Sequence, residues 1–277
     1  MASTAPGTLY IVATPIGNRD DISARAVQVL RSVTVIAAED TRHSRPLLIH
    51  HNIATPLMTV HDHNEREALA DVIGRLQNGH DVALISDAGT PLISDPGFRL
   101  VRAVREVGLK VVPLPGPCAA IAALSVAGLP SDRFVFEGFL PAKASARRAR
   151  LLALAGETRT LIFYESGHRI VDSLEDMRVA FGDAREAVLA RELTKIYETV
   201  IDQPLVALAA RVIADPDQQR GECVVLVAGA PEDADSALAE GMRVFAILRE
   251  ELPASRAAKL AAAITGAPRK ALYVIDE

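Results

Sequence analysis

The 277-residue chain is 49% hydrophobic and 23% charged, which excludes a disordered protein and suffices for about two domains. Its net charge of −5 excludes a surface coated in positive charge, although a local basic patch is all that phosphate contact requires. Cys118 and Cys223 fit neither a zinc motif nor a CxxC pair, the apolar stretch from Ala119 to Leu129 is too short for a bilayer, and no basic-then-apolar leader is visible; a cytoplasmic chain without a membrane span is expected.

Short apolar runs alternate with helix-period runs in the first half. Leu9 to Ala13 reads as a buried strand, followed by the turn Thr14-Pro15-Ile16-Gly17-Asn18 and by Ile22, Ala26, Val29, Leu30 and Val33 at helical spacing. Val33 to Ala38 is a second strand that stops at Glu39-Asp40-Thr41-Arg42. Asn64 with Glu67 forms a capping-box pattern ahead of the stripe Leu69, Val72, Ile73 and Leu76, and Gly79 closes that helix. Val82 to Ile85 is a third strand, and Ser86-Asp87-Ala88-Gly89-Thr90-Pro91 follows it. Asp95-Pro96 reads as a helix start, with Phe98, Val101 and Val104 behind it. Lys110 to Leu114 is a fourth strand, followed by Pro115-Gly116-Pro117 and a small-residue helix to Ala127. This alternation predicts a mainly parallel sheet covered on both faces.

Gly128-Leu129-Pro130-Ser131-Asp132 marks a boundary, after which the same logic is expected to repeat. Strands are read at 134–136, 160–164, 188–191 and 223–227, with helices at 170–181 and 205–213. From Asp235 the pattern changes to helices at 238–251, 255–264 and 269–273 joined by tight Gly/Pro turns, as in a helix-turn-helix. The expected division is 1–129, 130–232 and 233–277.

In a doubly wound sheet ligands bind beyond the C-terminal strand ends, which singles out the loops starting at Thr14, Glu39, Ser86 and Pro115. GxGxxG after the first strand, GxxxxGK[ST], GxSxG and HExxH are all missing, which argues against a Rossmann dinucleotide site, a P-loop, a serine hydrolase elbow and a zinc protease. His61-Asp62-His63 and His50-His51 are weak metal patterns, better read as surface histidines; no metal is expected. In the loop from Ser86 to Gly97, backbone shape accounts for Gly89, Pro91 and Pro96 but leaves the crowd of hydroxyls and carboxylates unexplained. Small residues from Leu114 to Ala120 allow a flat ligand to lie against main chain.

These loops, together with Glu39-Asp40-Thr41-Arg42, His61-Asp62-His63-Asn64-Glu65, Phe139-Leu140-Pro141-Ala142-Lys143, Phe163-Tyr164-Glu165-Ser166 and Ala190-Arg191-Glu192-Leu193-Thr194-Lys195, resemble the bacterial small-subunit ribosomal RNA 2′-O-ribose methyltransferases of the tetrapyrrole-methylase-like superfamily. The likeness runs from Gly7 to about Ala228, and Leu252 to Lys259 resembles that family's C-terminal helical element. The resemblance implies an α/β fold of two α/β domains with S-adenosylmethionine in the cleft between them, a small C-terminal helical element and a homodimer. Cofactor contacts are implied near Pro15, Thr90, Ile93, Cys118, Ala119, Tyr164 and Leu193. The implied substrate is a cytidine in the decoding region of 16S rRNA, within the small ribosomal subunit.

A ribose hydroxyl must lose its proton during attack, and candidates to receive it are Glu39, Asp40, Glu165, Glu192, Lys195 and Glu198. The lysine qualifies only if burial or nearby positive charge lowers its pKa. Arg42 and Arg169 suit bidentate clamping of phosphate or carboxylate. Two locally basic segments are candidate RNA contacts: Lys143, Arg147, Arg148 and Arg150 in one, Arg256, Lys259, Arg269 and Lys270 in the other. Two other readings stay open, a methyltransferase acting on a tetrapyrrole precursor and a non-catalytic RNA-binding assembly factor.

Overall fold

The computed structural model describes residues 5–60, 65–95, 97–231 and 234–273. His61-Asp62-His63, Asn64 with the Glu67 side chain, and Pro96 lie outside the described residues. The chain forms two compact units, one of residues up to Ala155 with Arg159–Ala228, the other of Gly156–Thr158 with Gly229 onward.

The first unit begins with β1 (Thr8–Val12), α1 (Ala24–Ser32), β2 (Val35–Ala38), α2 (Thr41–His50), β3 (Leu57–Thr59), α3 (Glu65–Gln77), β4 (Val82–Ile85), α4 (Phe98–Glu106), β5 (Lys110–Leu114) and α5 (Ala119–Val126). The five strands form one sheet in the order β3-β2-β4-β1-β5, and every pairing is parallel. Because both faces are covered, its strands read as unbroken apolar runs. Ile22, Ala26 and Leu30 pack with Ile36 and Ile85 on one face. Val72, Leu76, Leu100 and Val104 pack with Leu9 and Leu84 on the other. Ser23 caps α1 by accepting from the Ala26 N–H. α4 starts at Phe98, with Gly97 at its N-cap in positive φ, which places the helix start after the expected Asp95-Pro96.

The rest of this unit is β6 (Phe134–Phe139), α6 (Ala144–Ala153), β7 (Thr160–Ser166), α7 (Ile170–Phe181), β8 (Glu186–Arg191), β9 (Thr199–Pro204), α8 (Leu205–Ala214) and β10 (Glu222–Val227). These strands form a second sheet in the order β6-β7-β10-β8-β9. Only β6 and β7 pair in parallel; the other neighbours run antiparallel. The repeat of the first half's logic is therefore corrected: helices again separate most strands, but β8 runs directly into β9 and the second sheet is mixed. Leu161, Phe163, Leu189 and Val225 pack under α6, α7 and α8. On the opposite face α5 lays Ala120, Ala123 and Leu124 against Ile162, Val188, Ala190, Val224 and Leu226. α5 thus leaves the first sheet and lands on the second, just before the expected boundary.

The second unit contains α9 (Ala234–Arg249), α10 (Ala254–Thr265) and a 3-10 turn over Arg269–Tyr273. Phe245, Ala257, Ala258, Ala261, Ala267 and Leu272 form its core. Gly266 ends α10 at φ +75°, a left-handed stop that glycine adopts without steric cost. Among the described residues no helix is long and apolar enough to cross a membrane.

Candidate functional site

The turn after β1 and the loop after β4 meet first. The Thr14 N–H donates to Gly89 O (2.8 Å) and the Gly89 N–H returns a bond to Thr14 O (3.1 Å). Thr90 Oγ1 donates to Pro117 O at 2.9 Å, which ties the loop to the start of α5. The Ala120 N–H of α5 donates to the Tyr164 hydroxyl oxygen at 3.1 Å, joining that helix to β7. The enclosed space is a cleft of about 350 Å³, within the range for small-molecule sites. Its wall is apolar at Ile16, Ile93, Ala119, Phe139, Leu193 and Val224, and acidic at Asp87, Asp95, Glu192 and Glu222.

Period-two alternation decides which side chains of the second sheet reach this cleft. Ile162 and Tyr164 face α5, and so do Val224 and Ala190; Glu222 shares the parity of Val224. Glu165, one residue beyond Tyr164, is also among the residues that line the cleft, but its carboxylate is bonded toward α7. Its buried carboxylate accepts from Ser173 Oγ of α7 at 2.6 Å and from its neighbour's Ser166 N–H at 2.9 Å, and Arg169 lies 3.5 Å away. These partners occupy the carboxylate that the sequence offers as a proton acceptor. Arg169 donates to the Leu140 and Pro141 carbonyls, so its guanidinium holds the loop after β6.

The expected catalytic set splits. Lys195 and Glu192 lie in the cleft. Lys195 Nζ contacts Glu192 Oε1 at 2.8 Å and Glu222 Oε2 at 2.9 Å. Burial pulls the lysine pKa down, but the hydrogen bonds and charges of the two glutamates outweigh it and hold the group above its ordinary value. Burial pushes Glu192 up, and Lys195 together with the Glu222 N–H more than reverses this, leaving it below its ordinary value. Lys195 is therefore held as the ammonium, and the lowered pKa on which a role as base depends is not met. Asp40 and Arg42 do not line the cleft. Asp40 caps α2 by accepting from the Arg42 N–H (2.8 Å) and is gripped by the Arg42 guanidinium, which holds its carboxyl well below the usual range. Asp40 touches the site only through its N–H, which donates to Asp87 Oδ1 at 3.1 Å. Asp87 also pairs with His43 at 3.0 Å and raises that imidazole's pKa. Glu198 closes its own loop by accepting from the Thr194 N–H, and Glu39 is outside the cleft lining.

Of the expected cofactor positions, Thr90, Ile93, Cys118, Ala119, Tyr164 and Leu193 line the cleft. Pro15 does not: the Thr14–Gly89 bridge turns the chain so that Ile16 faces inward. Asp87, Asp95 and Glu222 were not assigned from the sequence. Asp87 and Asp95 sit in a loop whose carboxylates stood out; Glu222 carries no local signal. Asp95 is raised by burial, then by the Asp87 charge, against a Ser86 hydrogen bond. Burial also raises the Tyr164 phenol, with Cys118 adding to it, and pushes the Cys223 thiol up to about 12. The Tyr164 phenol therefore presents an uncharged group to the cleft, while the Cys223 thiol packs in the core on the opposite face of the sheet.

Ser94 and Glu192, both in the lining, have positive φ, as do Leu92 and Thr194 two residues from them in sequence. Such backbone is uncommon and persists where its surroundings over-determine it. Gly17 shows how: a Cβ there would fall 2.5 Å from Lys195 Cγ and 3.0 Å from Leu193 O, so only glycine lets the turn after β1 press against the Lys195 loop.

The expected RNA contacts also divide. Lys143 is exposed at the N-cap of α6, and Arg148 is exposed although its Nε meets Asp176 Oδ1 at 2.8 Å. Arg147 has a side chain only 5% exposed, with Nε 2.7 Å from Asp176 Oδ2. It cannot face RNA, and that expectation is corrected: the apolar stripe of α6 turns this position inward with Leu151. Arg256 and Lys259 are exposed on α10. Among the described residues no group of three or more His, Cys, Asp or Glu is placed to hold a metal.

The profile of the family described as Tetrapyrrole (Corrin/Porphyrin) Methylases matches residues 8–209, and that of the RsmI C-terminal HTH domain matches residues 234–274. Proteins called ribosomal RNA small subunit methyltransferase I are similar over nearly their whole length. That of Pseudomonas aeruginosa is 62% identical, covering 96% of this chain and 95% of its own; that of Escherichia coli O157:H7 is 54% identical, covering 98% and 95%. Among solved structures, a cobalt precorrin-4 methyltransferase superposes with a TM-score of 0.60 at 15% identity, covering 80% of this chain and 94% of that one. A diphthine synthase does so with 0.59 at 14% identity, covering 80% and 90%. These distant likenesses speak to the fold alone. With a family profile over most of its length and near-full-length relatives above half identity, the chain belongs to the ribosomal RNA small subunit methyltransferase I family, methyltransferases built on the tetrapyrrole-methylase fold.

Proposed function

We propose that this chain transfers a methyl group from S-adenosylmethionine to the ribose 2′-oxygen of a cytidine in the decoding region of 16S rRNA. The observation that carries the reading is the Lys195–Glu192–Glu222 cluster set in an apolar, acid-rimmed cleft. The donor set fits the cofactor: apolar walls and main chain suit an adenine, and four carboxylates suit a ligand bearing a sulfonium and an ammonium. Gly89, at φ +80°, supplies the left-handed backbone of this loop, which glycine adopts without steric cost.

When bound, the cofactor supplies an electrophilic methyl group. The protein's own contribution is alignment and proton handling. An ammonium has three donors; Glu192 and Glu222 take two from Lys195, leaving a third for the attacking oxygen. Glu222, exposed and bonded to Nζ, takes up the 2′-hydroxyl proton. That proton becomes acidic as its oxygen bonds to carbon, so a carboxylate suffices. Thr90, Ile93, Cys118, Ala119, Tyr164 and Leu193 hold the cofactor. The reading carries with it a homodimer, a cytoplasmic site of action and the small ribosomal subunit as substrate particle.

Incubating the chain with methyl-labelled cofactor and small subunits lacking the modification should label the RNA; label confined to a tetrapyrrole precursor would overturn the reading. Lys143, Arg148, Arg256 and Lys259 are exposed cations available for phosphate contact, as are Arg150, Arg269 and Lys270. Reversing two of them, Arg256→Glu with Lys259→Glu, should weaken substrate binding and reduce the slope of log affinity against log salt by about two. Filter binding across a salt series measures this, and an unchanged slope would remove α10 from the RNA interface.

A further inference from the structure

The loop between β8 and β9 presents two large apolar side chains to solvent beside the cleft. Ile196 is 94% exposed and Tyr197 73%, directly after Lys195. Isolated exposed apolar residues are ordinary, but this pair is held by a heavily built backbone. Glu192 and Thr194 adopt positive φ. Glu198 Oε2 accepts from the Thr194 N–H at 2.6 Å, and the Asn18 N–H donates to Thr194 Oγ1 at 3.0 Å. Arg191, buried beneath, donates to Tyr197 O at 3.0 Å and to Thr199 Oγ1 at 3.2 Å. The main chain of Tyr197 is thus pinned while its ring is offered outward.

We propose that Tyr197 is the stacking platform for a nucleobase next to the methylated nucleotide, with Ile196 as the wedge that separates it from its neighbour. The inference rests on the RNA substrate proposed above and adds the residues that seat it. Two residues of chain span at most about 7 Å, so the Tyr197 Cα lies within that distance of the Lys195 Cα. Unpaired RNA is recognised by stacking on aromatic rings, and apolar wedges part base steps. The acidic rim of the cleft, with Glu192 and Glu222 beside Lys195, repels phosphate. A neutral aromatic face is the contact this rim can offer a polyanion. Rigid presentation lowers the ordering cost of binding.

The test is steady-state methyl transfer to unmodified small subunits by full-length Tyr197→Ala, Tyr197→Phe, Tyr197→Trp and Ile196→Ala, with Val179→Ala as an exposed apolar control on α7. Sedimentation and S-adenosylmethionine titration accompany each. Tyr197→Ala should raise KM for the subunit roughly 5- to 150-fold with kcat and cofactor affinity retained. The phenylalanine and tryptophan variants should restore KM, and Val179→Ala should match wild type. Unchanged KM in Tyr197→Ala overturns the inference. So does a loss that follows cofactor affinity, which marks a structural role, or one that follows dissociation of the protein, which marks contact with a second copy. A wild-type chain that labels no RNA overturns the proposed function and this inference together; an active wild type with an equally active Tyr197→Ala overturns this inference alone.

Discussion

Replacing Lys195 by methionine should lower kcat for methyl transfer by about 10²–10³-fold, the loss typical of removing one well-placed donor to a reacting oxygen, while cofactor binding persists. Methionine keeps an apolar stem of similar length and removes the ammonium, so the carboxylates of Glu192 and Glu222 lose their shared partner. Quench-flow methyl transfer and cofactor titration separate the two effects. The pH dependence follows from the signs of the shifts. Lys195 is raised above its ordinary 10.5, so its contribution is complete below that value and fades as pH climbs through the higher folded value. Glu192 is lowered below its ordinary 4.5, so its contribution is complete above that value and fades as pH falls through the lower folded value. The pair is intact between about pH 5 and pH 10, and kcat should show no limb from it in that window. A rising limb near neutrality that vanishes in the methionine variant would instead make the lysine a base.

Truncating Asp176 to alanine should destabilise the chain by about 3–5 kcal/mol, the cost of leaving a buried charge without its partner. The Arg147 side chain is almost wholly buried, and Asp176 also receives Arg148 on its second oxygen. The double variant Arg147→Met with Asp176→Leu should recover most of the loss, because an apolar pair replaces two desolvated ions. Urea denaturation of the three variants measures this. Wild-type stability in Asp176→Ala, with weakened RNA binding in Arg147→Ala, would return Arg147 to the substrate-facing surface.

The first sheet was legible because its central strands are short β-branched runs buried on both faces. β3 escaped because three residues make no pattern, and β9 because Thr199–Pro204 is a polar edge strand. α2 was hidden by Pro46 within it, and α6 by an Arg/Ala composition that read only as charge. The direction of the second sheet was not legible at all: an apolar run such as Cys223–Val227 reads alike whether its neighbours run parallel or antiparallel. The site followed the same division. Loops at strand ends announced themselves through glycine, proline and carboxylates, and most of the cleft lining came from them. Glu222 did not, since it reaches Lys195 only through the pairing of β10 with β8, a contact between residues 27 apart in sequence. Glu165 shows the converse: position along β7 was clear, but the face of the strand decides its role, and the alternation at Tyr164 turns it toward α7.

The measurement that tests the account most directly identifies the methylated product. Small subunits from a strain deleted for this gene would be incubated with the purified chain and methyl-labelled S-adenosylmethionine, and the digested RNA analysed by nucleoside mass spectrometry. The account predicts label in 2′-O-methylcytidine, absent when Lys195→Met replaces the wild type. Label on a base, label only on a tetrapyrrole precursor, or subunit binding without transfer would contradict it.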